Sequence, residues 1–147
     1  MAHVRQQLRD RMQSTLASGV TSVSGRVYTN RVYSLKGENL PVVTVSFDSE
    51  SSALGTIGLR TMQRNVDIMV DVYDKANADL DDALDDICVE IEESIANDFT
   101  LNGLAKRCVL TATDLQLTGE AEQPIGVARL RYSIEYVTSI NDVETAR

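Results

Sequence analysis

The chain has 147 residues, 43% of them apolar, with two Cys and no Trp. That length supports one domain with a real core and is short for two. A formal charge of −8 argues against tight binding to nucleic-acid phosphates or to an anionic membrane, since both need a basic surface.

Val4, Leu8, Met12 and Leu16 recur at helical spacing among Arg5, Gln6, Arg9, Asp10 and Arg11, which predicts an amphipathic first helix. Gly19 lies just past its expected end. Ser18 to Gly25 is small and polar and reads as a loop. Arg26 to Tyr33 is an expected strand, and Ser34 to Asn39 an expected turn. Pro41 then opens the β-branched run Val42-Val43-Thr44-Val45-Ser46-Phe47, where a missing N–H is harmless.

Asp48 to Leu59 is rich in Ser and Gly and predicts a mobile loop, yet it displays Leu54, Ile57 and Leu59. A long loop with apolar residues is either a floppy hairpin tip or a segment that orders against a partner. From Arg60 to Tyr73 the sequence alternates. Val66, Ile68, Val70 and Val72 fall on one face, and Asn65, Asp67, Met69, Asp71 and Tyr73 on the other, as in an antiparallel sheet covered on one side.

A second helix follows, with Leu80, Ala83, Leu84, Ile87, Cys88, Ile91 and Ile95 in steps of three and four. Asn77 or Asp79 is expected to cap it, with acids near its positive end and Asn102-Gly103 ending it. Two alternating runs close the chain. Arg107 to Gly119 is read with Val109, Thr111, Thr113, Leu115 and Leu117 on one face. Ile125 to Thr138 is read with Ala128, Leu130, Tyr132, Ile134 and Tyr136 on one face, and the two form a hairpin. The expected fold is α+β: one mixed or antiparallel β-sheet of four to five strands with two helices packed on one face. It forms a single domain over 1–147, with 139–147 as a flexible tail.

Candidate chemistry is sparse. His3 is the only histidine and sits on a terminal segment, whereas a general base needs a fixed position. Asp79, Asp81, Asp82, Asp85, Asp86, Glu90, Glu92 and Glu93 invite a metal reading, the basis of a rival small metal-dependent enzyme. Their like-charge pairs one turn apart lie outside the apolar stripe and read as a solvated face, with no EF-hand loop. The phosphate-binding glycine motifs are missing, the serines of 46–52 have no histidine partner, and Cys88 and Cys108 have no C-x-x-C spacing. Both thiols are expected reduced in the interior. No cofactor is expected. No apolar run reaches membrane-spanning length and the first residues lack a signal-peptide core, so synthesis and folding in the cytoplasm are expected.

Arg26, Arg31, Arg60, Arg64, Arg129 and Arg131 lie on or beside expected strands. They are ordinary surface charge, or they meet the acidic helix face of a neighbouring copy head to tail, a contact that closes into rings when the rotation permits. On that second reading Asp82, Asp85 and Asp86 on one copy and Arg64, Arg129 and Arg131 on the next are the interface candidates.

The layout as a whole resembles a known family. A helix leads to Arg26-Val-Tyr, then Leu40-Pro-Val-Val-Thr-Val-Ser, a loop, and Val66-Asp-Ile-Met-Val-Asp-Val-Tyr. The acidic helix from Asp79 follows, and the late strands end in Pro124-Ile-Gly-Val-Ala-Arg-Leu-Arg-Tyr-Ser-Ile-Glu-Tyr. This order resembles the tail terminator proteins of long-tailed phages, the group that includes lambda minor tail protein U. It is a resemblance of pattern over nearly the whole chain, without an invariant motif. It implies a non-enzymatic virion protein made in the host bacterial cytoplasm and located at the head-proximal end of the tail. It implies a hexameric ring that caps the tail tube, ends tube polymerisation and joins the head through a head-completion or connector protein, with DNA passing through the lumen unbound. The apolar positions Leu54, Ile57, Leu59 and Met62 are then the tube-contact candidates. Another neck protein, for head closure or tail completion, would share the ring logic.

Overall fold

The computed structural model describes residues 2–23, 25–29, 41–55, 58, 60–75, 80–118 and 125–147. The elements in chain order are helix α1 (Val4–Gly19), a 3-10 turn (Thr21–Val23), β1 (Val27–Tyr28), β2 (Val42–Leu54) and β3 (Thr61–Lys75). Helix α2 (Leu80–Asn97), β4 (Arg107–Thr118), β5 (Ile125–Ser139) and β6 (Asp142–Ala146) follow.

The strands form one mixed sheet in the order β1-β2-β3-β5-β4, with β6 also on β5. β1 runs parallel to β2; every other pair is antiparallel. β3 occupies one side of β5 along its whole length, from Lys75 opposite Ile125 to Thr61 opposite Ser139. β4 takes the other side as far as Glu135, and β6 continues that side from Thr138. β4 and β6 therefore lie end to end on the same edge.

Both helices pack on one face, so the fold is the expected α+β layer. The four i+4 residues of α1, Val4, Leu8, Met12 and Leu16, are fully buried. They rest on the sheet with Leu84, Ile87, Cys88, Ile91 and Ile95 of α2. The α1 start is capped by His3, whose Nδ1 accepts from the Arg5 N–H at 3.0 Å. Gly19 is the last helical residue, and the Val20 N–H closes the helix on the Leu16 carbonyl at 2.9 Å. Asp81 and Asp82 stand in the first turn of α2, at the positive end of its dipole. Asn77 and Asp79, the expected caps, lie outside the described residues, as do Arg31 and the second half of the expected 26–33 strand.

Helix α2 stops at Asn97, earlier than the Asn102-Gly103 signal. Between them Leu101, Asn102 and Gly103 all have positive φ, at 49°, 60° and 81°. Leu101 is fully buried in the core, and this burial holds a side chain in a region that leucine rarely visits.

Three expectations are corrected by pairing. Asp48 to Leu54 is not a loop: β2 runs through it, and Leu54 stands opposite Met62. Its serines say loop, but the ladder to β3 satisfies the backbone whatever the side chains. Residues 142–146, expected to be loose, form β6 against the end of β5. In β4 a register shift between Leu110 and Ala112 reverses the side-chain alternation. Val109 pairs with Ser133 on the helix-free face, whereas Thr113 and Leu115 pair with Leu130 and Ala128 on the helix side. The expected single face from Val109 to Leu115 is therefore split in two.

Candidate functional site

Among the described residues, no group of three or more His, Cys, Asp or Glu converges as a metal-ligand set. Among them no helix is long and apolar enough to cross a membrane. Both cysteines are free and buried. Burial, with Asp85 and Glu92 nearby, pushes the Cys88 thiol up to about 11, and burial beside Asp98 pushes Cys108 up to about 12. Neither is a thiolate nucleophile at neutral pH.

The far end of the β2–β3 hairpin carries the first feature. Leu54 is 57% exposed and stands directly opposite Met62, which in turn pairs with Thr138 of β5. Directly opposed residues share a face, so Leu54 and Met62 form a side-by-side apolar pair on the helix side. Ile140, 46% exposed, donates its N–H to the Arg60 carbonyl at the same end. Ile57 and Leu59 lie outside the described residues.

A one-residue shift between Phe47 and Ser49 sets what sits below that tip. Before the shift Val43, Val45 and Phe47 face the helices; after it Glu50, Ser52 and Leu54 do. Glu50 is thereby turned inward, with its side chain 7% exposed. It pairs with Arg5 at 2.7 Å and Arg64 at 3.4 Å, and it accepts the Tyr136 hydroxyl proton. Arg64 Nε also donates to Thr138 at 3.0 Å, and the Arg5 guanidinium lies 5.2 Å from the Phe47 ring centre. Burial, then the bond to Glu50, raises the Tyr136 phenol well above its ordinary value. This network ties the start of α1 to three strands, and sequence reasoning missed it. Its signal was a lone Glu in a serine-rich run, legible only once the bulge is known.

The charged interface candidates separate onto different surfaces. Asp82, Asp85 and Asp86 are exposed on the outer face of α2. Arg64 is 14% exposed and committed to Glu50. Arg129 and Arg131 lie on the helix-free face. Arg129 grips the fully buried Asp71, and Arg131 pairs with Asp48 at 3.1 Å. Each of the three arginines thus already holds a carboxylate of its own chain.

The family model for phage minor tail protein U matches residues 2–136, which takes in both helices, the hairpin and nearly all of β5. The chain belongs to the phage minor tail protein U family. It is therefore a structural tail protein of a phage virion, and other virion proteins are its neighbours. No curated protein sequence matches it. Among solved structures, a chain from the virion of a native gene transfer agent particle is similar at 17% identity, over 90% of this chain and 92% of that one, with a TM-score of 0.36. Among the described residues, the Leu54–Met62 pair is one partly exposed apolar feature, at the far end of the hairpin.

Proposed function

We propose that this protein closes into a hexameric ring on the head-proximal end of the tail tube, stops further tube polymerisation and presents the surface to which the head is joined. The observation that carries this reading is the family match over residues 2–136. The geometry supplies the working parts. The apolar pair Leu54–Met62, at one end of the sheet, is suited to meet the tube. Its strands are tied below the tip to β5 and to the start of α1 by the Glu50–Arg5–Arg64–Tyr136 network. The acidic balance of −8 keeps a ring lumen from retaining DNA by phosphate neutralisation. The role is carried by binding surfaces, without turnover.

The test is direct. Purified protein mixed with polymerising tail-tube subunits is followed by light scattering and negative-stain electron microscopy. Tubes capped at one end by a six-fold ring, with arrested growth, are expected. Protein that stays monomeric at all concentrations and never decorates tube ends overturns the reading. Met62→Asp should still close rings but no longer cap tubes.

A further inference from the structure

Among the described residues, two edges of the sheet are open. Among the described residues, no strand pairs with the outer side of β4. On the outer side of β2, β1 covers Val43 and Thr44 among the described residues. Exposed edges are normally blunted by prolines, lysines or short length, because they template pairing with another chain. β4 has 12 residues and neither proline nor lysine occurs in it; its bulge lies between Leu110 and Ala112, leaving the stretch from Ala112 onwards in regular register. Its only charges are Arg107 and Asp114, which cancel within a chain of net charge −8. The strand thus carries no net charge of its own.

The core rows also stop unfinished at β4. Val43, Val72 and Ala128 lie across β2, β3 and β5 in one row on the helix side and are fully buried, but Leu115, next in that row, is 50% exposed. In the adjoining row Val45, Val70 and Leu130 are fully buried, while Thr113 beyond them is exposed. A core row that ends in an exposed leucine at an open edge is a row that another sheet can continue.

The backbone direction identifies the donors. The Lys106 N–H bonds to the Glu135 carbonyl and the Arg147 N–H to the Val137 carbonyl, so odd residues of β5 turn their peptide groups towards β4 and β6. Their partners Val109, Ala112, Asp114 and Gln116 turn inward, and the alternate residues Cys108, Leu110, Thr113 and Leu115 present their N–H groups outward. On β2, the Val43 N–H reaches the Arg26 carbonyl on the outer side and the Gly55 N–H reaches Thr61 on the inner side. Either side of the bulge, Phe47, Glu50, Ser52 and Leu54 therefore face outward. β2, β3, β5 and β4 alternate in direction, so the two open edges run oppositely. Copies related by rotation about an axis along the strands then bring β4 against the next β2 in the antiparallel sense.

We propose that β4 of one copy pairs with the 47–54 stretch of β2 in a second copy, so that the sheet continues from subunit to subunit around a closed ring. This rests on the ring reading above. In such a seam the acids of α2 and the arginines Arg129 and Arg131 remain on opposite faces of the extended sheet and do not hold the copies together.

Amide hydrogen exchange on the wild-type protein, as monomer and as assembled ring, reads the seam without mutation. Amides of Cys108, Leu110, Thr113 and Leu115, together with Phe47, Glu50, Ser52 and Leu54, should slow by more than about tenfold on assembly. Thr113→Pro and Leu115→Pro remove outward N–H groups while leaving the inner ladder intact. Folded by circular dichroism, these variants should remain monomeric. Asp82→Asn, Asp85→Asn and Asp86→Asn together should still assemble. Rings that form with both edges exchanging freely, or with the proline variants, overturn the seam and leave the ring reading standing. Dimers that protect β4 alone show two-fold β4–β4 pairing and also overturn the seam. Wild-type protein that never assembles removes the ring reading and the seam with it.

Discussion

Arg129 grips Asp71 across the β3–β5 ladder, Nε to Oδ1 at 2.9 Å and the second nitrogen to Oδ2 at 3.3 Å, on the face that carries no helix. Asp71 is fully buried there, while the Arg129 side chain keeps 37% of its exposure. The hydrogen bonds to Asp71 hold the guanidinium above its ordinary pKa. Removing the cation leaves a carboxylate buried without its main charge partner. Arg129→Ala should cost about 2–3 kcal/mol, at or just below the bottom of the range for broken buried pairs because one partner is partly solvated. Urea unfolding with an unchanged m-value checks this. Replacement of both residues by apolar side chains of similar size should recover much of the loss.

The Tyr136 phenol is raised by burial and by donation to Glu50, and Tyr132 is raised chiefly by burial. A group whose folded pKa lies above its unfolded value stabilises fully below the unfolded value, near 10 for tyrosine. That stability drains away as pH climbs from there towards the folded value. Alkaline unfolding should therefore begin above pH ~10, with late absorbance at 295 nm from these two tyrosines. Tyr136→Phe should lower stability by about 1–2 kcal/mol, because Glu50 loses a buried donor.

His3 caps α1 through an unprotonated Nδ1. Burial lowers its pKa, as does the Arg5 charge; Glu50 opposes and Arg64 adds to the lowering. The folded chain therefore prefers the neutral ring. The contribution is complete above the unfolded value of about 6.5 and is lost as pH falls below it through the folded value. His3→Asn keeps a capping acceptor without a titration and should abolish that step in a plot of stability against pH. His3→Ala should cost about 0.5–1 kcal/mol at pH 8. A step of unchanged size in His3→Asn would refute the assignment.

Gly126 on β5 lies against Leu80 at the start of α2. A Cβ placed there would come within 2.5 and 2.8 Å of the two Leu80 methyl carbons and 2.9 Å of Cγ. The leucine must move for any larger residue to fit. Gly126→Ala should destabilise by about 1–3 kcal/mol through overpacking. Adding Leu80→Ala should restore part of this, giving a non-additive cycle in thermal melts.

Cys88 and Cys108 are buried with raised thiol pKa values of about 11 and about 12. Iodoacetamide at pH 8 should label neither in the native protein and both in urea. Rapid native labelling of either would contradict the packing described above.

Much of the frame is legible in the chain itself. The i+4 stripe Val4–Leu8–Met12–Leu16, the alternation of Val66 to Val72 and of Ala128 to Tyr136, and the stripe from Leu84 to Ile95 each bury as their periods imply. Hydrophobic period is a strong signal because a shift of one residue would expose the whole set. What escaped reading was decided by neighbours. Ser49 to Ala53 has no apolar alternation, so only its pairing with β3 makes it a strand. The register shifts at 48 and 111 have no residue signature. Asp71 fell on the expected wet face, yet its environment removes it from water. Of the candidate site, Leu54 was visible as an apolar residue in polar company. The Glu50 network was not, because it depends on a bulge and on a helix that arrives from the other end of the chain.

That extra residue at Asp48 works as a phase switch for everything beyond it. Upstream, odd positions of the strand look towards the helices; downstream, even positions do. If Asp48 were paired in the ladder instead of bulged, the tip would invert, sending Leu54 to the opposite surface and the Glu50 carboxylate out into solvent; deleting Asp48 would leave both where they are. The bulge therefore lets the strand carry one residue more than its partner without losing the placement of its leucine beside Met62.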